Sequence, residues 1–134
     1  MTAVSTYEAY LSEPQALTFD QMTVIHQQMT DEIGTDPEVL EYYADLLKAA
    51  ARYAGIRAVW PMMDAKEKLE KDMGRTSAHD SVITHLNLMS RLLRLMGKPA
   101  AWRDTLGNEK DPYRRKMIGD FACYLAFISG INAR

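Results

Sequence analysis

The chain predicts an all-α fold, a single-domain antiparallel helical bundle of about five main helices with a buried central helix over 77–96. Three observations lead there. Apolar residues recur at three- and four-residue steps in segment after segment, and strand-like alternation and hairpin signals are absent. Capping residues, prolines and glycines punctuate the segments at short intervals. At 134 residues, with 47% apolar and 25% charged side chains, the chain suits one domain with a sizeable core.

The first 17 residues read as a loosely packed arm, with a short helical piece from Ser5 to Ser12 stopped by Pro14. Thr18 caps the first main helix, in which Phe19, Met22, Ile25, His26, Met29 and Ile33 form the apolar side before Gly34. Asp36-Pro37-Glu38 restarts a helix with a capping Asp, Pro at the first helical position and an acid in the first turn. It is expected to end near Ala54, at Gly55. The next segment, Ile56 to Met73, contains Pro61, which either kinks or starts a helix, and Gly74 is expected to end it.

The central helix carries the most information. Ser77 and Asp80 stand at capping-box spacing, and Gly97 followed by Pro99 marks the far end. Between them roughly two-thirds of the circumference is apolar, which calls for cover from more than one side. One continuous polar stripe remains, through Asp80, Thr84, Asn87, Arg91 and Arg94. A short helix follows over Pro99 to Leu106, closed by Gly107. Asp111-Pro112 opens the last helix, with Tyr113, Met117, Phe121, Tyr124, Leu125 and Ile128 on its apolar side.

Several function classes are disfavoured. The chain has a single cysteine, Cys123, set in an apolar run; one thiol supports neither an internal disulfide nor a Cys-rich zinc site. The most apolar window, Met117 to Ile128, is too short to span a bilayer and contains Asp120. No secretory signal opens the chain, so a cytoplasmic location is the expectation. Glu38/Glu41/Asp45 and Asp64/Glu67/Glu70 have the spacing of helical metal-binding carboxylates, but both sets fall largely away from the apolar faces and read as solvated. His79 and His85 are about 240° apart on one helix and cannot share an ion from one face. No metal and no cofactor is expected.

The candidate sites are polar residues in apolar surroundings. Asp120 is the one charged side chain in Met117 to Ile128, so it needs a partner; Arg75, Arg103 and His79 are the candidates. A pocket formed by Arg75, His79, Asp80 and Asp120 would leave His79 available for acid–base work. His85 is a further binding candidate on the same helix. Charge is unevenly distributed: residues 1–67 hold 4 Lys/Arg against 11 Asp/Glu, a net −7, and residues 68–134 carry +5. The basic stretch 91–116 includes Arg103, Arg114 and Arg115 with Trp102 interleaved, a combination that suits phosphate or nucleic acid. An overall pI near 5.9 argues against a dedicated nucleic-acid binder.

The absence of a catalytic signature, the nine Met and the two-signed charge point first to a non-enzymatic interaction or regulatory protein that associates with itself or another protein. The alternative from another class is an enzyme or small-ligand binder using the His79/Asp80/Asp120 region.

Overall fold

The computed structural model describes residues 16–107 and 112–130, with the side chains of 112–115 outside that set. Among these residues five α-helices run in sequence: α1 (Phe19–Ile33), α2 (Pro37–Val59), α3 (Ala65–Leu95), α4 (Ala101–Leu106) and α5 (Pro112–Ser129). A 3-10 turn, Trp60–Met62, separates α2 from α3. No strand occurs among the described residues, and the fold is the expected all-α bundle. The piece expected at 5–12 lies outside the described residues.

Local chemistry explains most helix ends. The Thr18 hydroxyl accepts the Gln21 amide while the Gln21 side chain accepts the Thr18 amide, a complete capping box. Asp36 accepts the amides of Glu38 and Val39, with Pro37 at the first helical position. At the end of α3 the Lys98 amide donates to Leu93 and the Gly97 amide to Arg94, and Gly97 takes φ 85°. This is a Schellman closure, for which glycine is the favoured residue.

Three expected boundaries are overturned. Gly55 does not end α2, which continues to Val59 and buries Arg57 and Ala58. Gly74 does not end a helix either. Helix α3 starts at Ala65, capped by an Asp64/Glu67 box, and runs through Gly74 and past Ser77 and Asp80. An interior glycine weakens a helix by only about 1 kcal/mol. At Gly55 the burial of Arg57 and Ala58 outweighs that, and Gly74, in an exposed stretch, is carried between the Asp64/Glu67 box and the packed half from Ala78 onward, whereas Pro61 lacks an amide donor and coincides with the actual break.

Helices α2 and α3 form a hairpin through the 3-10 turn, and α5 packs along the other side of α2. The buried half of α3 spans Ala78 to Leu93 and includes Val82, Leu86 and Met89; Leu88 and Leu95 remain open to solvent. Burial on every side is found in α5, where each residue from Ile118 to Ala126 is buried. Its expected one-sided stripe is thus too narrow a description.

Leu17 and Ala16 are not loose. Leu17 is buried, and both backbone amides donate to the Asp120 carboxylate. Helix α4 is held from α1: Glu32 accepts the Trp102 indole N–H at 2.8 Å and the Ala100 amide at 3.1 Å. Ala100 has φ 47°, a left-handed conformation unusual for alanine. Its carbonyl accepts both the Arg103 amide and the Arg94 guanidinium, so both faces of this peptide segment are fixed.

Candidate functional site

Where α2 ends, three helices meet around a polar pocket of about 260 Å³, lined by Tyr53, Arg57, Trp60, Arg75, Thr76, His79 and Lys116. Each helix contributes for a local reason. Tyr53, Arg57 and Trp60 follow at four- and three-residue steps on one face at the end of α2 and the turn after it. Arg75 and Thr76 lie four and three residues before His79 on one face of α3, and Lys116 comes from α5.

Asp120 sets the floor. It is fully buried behind the lining, and its Oδ1 lies 3.4 Å from Arg57 Nη1. Its Oδ2 accepts the Ala16 amide at 2.5 Å and the Leu17 amide at 3.1 Å. Burial pushes the Asp120 carboxyl above its ordinary range; the Ala16 amide, Arg57, the Leu17 amide and Lys116 pull against that rise. Arg57 also hydrogen-bonds the Tyr53 phenol, whose own pKa is raised by burial against the pull of Arg57.

The walls are aromatic. The Tyr53 and His79 rings meet edge to face with centroids 5.3 Å apart. The Arg75 guanidinium sits 4.4 Å from the centre of the Trp60 ring and 3.1 Å from Asp72. Among the described residues, the lining therefore contains three cations from three helices and no carboxylate.

Gly119 makes this approach possible. A Cβ there would stand 2.8 Å from the Tyr53 hydroxyl and 2.9 Å from Arg57 Nη1. Gly119→Ala is expected to push both groups toward the pocket. The net stability change should stay within about 2 kcal/mol, because overpacking is partly offset by the better helix propensity of Ala. Ligand titration and urea unfolding of the same variant would separate a reshaped pocket from a damaged fold.

Arg75 and His79 line the pocket, and Asp120 lies behind it. Asp80 is exposed and off the lining, so it does not join them. The partner found for Asp120 is Arg57, not one of the three expected residues. Arg57 carries the same signal as Asp120, a lone charge within the apolar run Gly55 to Trp60, but it falls beyond the expected end of α2.

His85 lies away from the pocket with Nδ1 2.7 Å from the Ser81 carbonyl. Trp102 is fully buried, which removes it from any surface used for base stacking. Arg103 is buried and donates to Asn87 Oδ1 at 2.7 Å and to the Gly107 carbonyl. Arg114 and Arg115 are on α5, with side chains outside the described set. Asp64 and Glu67 are spent on the α3 capping box, and Glu38, Glu41 and Asp45 are exposed.

Fold and site together describe a small all-helical protein with a cationic, aromatic-walled pocket at the junction of three helices. No known protein family, curated protein or solved structure matches the chain.

Proposed function

We propose that this protein binds a small ligand bearing an oxyanion, a phosphate or a carboxylate, in the Arg57/Arg75/Lys116 pocket. The observation that carries this reading is the convergence of those three cations on a lining with no carboxylate among the described residues. Asp120 supports it from behind by fixing Arg57 while leaving the guanidinium on the lining. Trp60, Tyr53 and His79 supply flat walls that suit a ring attached to the anion. Such a site fits a protein that senses or carries its ligand, in keeping with a regulatory role.

Phenyl phosphate and benzoate are suitable probes, with inorganic phosphate as the ring-free comparison. Saturable shifts of the His79 ring resonances and of Trp60 fluorescence are expected, and added salt should weaken them. Arg75→Ala and Lys116→Ala should each lower affinity about tenfold, the scale of one charge-assisted hydrogen bond. Circular dichroism should stay unchanged in both variants. No saturable shift with any probe, or affinities indifferent to both substitutions, would overturn the proposal.

A further inference from the structure

The open face of α3 changes character along its length. From Asp80 onward it is the polar stripe through Thr84, Asn87, Arg91 and Arg94. Before Thr76 the same face is apolar: Leu69 is 80% and Met73 84% exposed, and Met62 in the preceding turn is 72% exposed. Leu69 and Met73, left this open one turn apart on one face of a well-formed helix, mark a contact surface.

We propose that this face is an interface with a second copy of the same chain, the two α3 helices packing antiparallel about a two-fold axis at Leu69. The charges around Leu69 carry the argument. Lys66 and Glu70 lie on one flank of the stripe, and Lys68 and Asp72 on the other, about 60–100° from Leu69. On each flank a cation precedes an acid by four residues, and the two pairs are centred on either side of Leu69.

In antiparallel helices each flank meets its own counterpart. A two-fold axis at Leu69 therefore sets Lys66 against Glu70 of the partner subunit and Lys68 against Asp72 of the partner subunit. Parallel packing would set cation against cation and acid against acid. Within one helix, the order cation-then-acid is the weaker arrangement for an i,i+4 pair, so local helix support does not account for the pattern. Asp72 already meets Arg75 at 3.1 Å, an exposed pair that a further cation can join. Across the seam Leu69 meets its own copy, and Met73 meets the partner near Ala65.

Sedimentation equilibrium of the full chain over a wide concentration range tests this. A monomer–dimer equilibrium is expected, with Leu69→Lys shifting it to monomer while helix content and thermal unfolding of the monomer stay unchanged. Lys66→Glu should weaken the dimer by placing like charges face to face, and Lys66→Glu combined with Glu70→Lys should restore it. A monomer at every concentration would overturn the proposal. So would a dimer indifferent to Leu69→Lys or not rescued by the charge swap. A monomer strongly destabilised by Leu69→Lys would equally overturn it, because the face would then be covered by the chain's own segments.

Discussion

Asp120→Ala is expected to destabilise the protein by about 3–5 kcal/mol, the range for breaking a buried ion pair by removing one partner. The loss has two sources. Arg57, itself buried, is left with its charge uncompensated on that side, and the Ala16 and Leu17 amides lose their acceptor. Asp120→Asn should lose less, because the side-chain carbonyl can still accept an amide. Urea unfolding followed by circular dichroism reads both.

The pH dependence separates charge from shape. Burial raises the Asp120 carboxyl above 3.8, so in the interval between 3.8 and the raised value the folded protein takes up a proton that the unfolded chain does not. Folding stability from this group therefore increases as pH falls through that interval and is flat below it. The difference in unfolding free energy between the native protein and Asp120→Asn should move in favour of the native protein as pH is lowered from neutrality. An opposite slope would mean that Arg57 and the two amides outweigh burial.

Trp102→Ala should be comparably severe, about 3–5 kcal/mol, since it empties a fully buried position filled by the largest side chain. Here too a carboxylate is the hidden partner. Glu32 holds the indole N–H and the Ala100 amide together, and so fixes α4 and the left-handed Ala100 against α1. Trp102→Phe should recover part of the packing but leave Glu32 without its indole donor. Glu32→Ala strands two donors at once and should cost more than Glu32→Gln, which keeps one acceptor oxygen. Thermal unfolding of the four variants checks this order; equal losses for Glu32→Ala and Glu32→Gln would show that the bonds contribute little.

The two pairs were unequally legible. Asp120 stood out because a lone carboxylate in an apolar dozen demands a partner, and Trp102 stood out only as a possible surface aromatic. Arg57 lies beyond the glycine expected to end α2, and Glu32 is one acid among three on α1. Each pair joins residues distant in the chain, so no local spacing rule reaches them.

The helix ends divide in the same way. Thr18, Asp36 and Gly97 act on backbone groups within a few residues, and their effect follows from composition and order alone. Ser77 and Asp80 have equivalent spacing yet cap nothing, because α3 is already running when it reaches them. Asp64 and Glu67, just after the proline-containing turn, close the real box.

The amino-acid order by itself determined the all-helical class, the capping of α1 and α2, and the Gly97 closure of α3, since those depend on hydrogen bonds made within a turn or two. Tertiary structure alone decided that Gly55 and Gly74 would be carried inside helices, that Arg57 would meet Asp120, and that Asp80 would stay outside the pocket. The physical reason is one of scale. A glycine shifts the local balance by about 1 kcal/mol, while burying a single large apolar side chain contributes about 1.5–3 kcal/mol, so packing between distant segments overrules a local signal to stop.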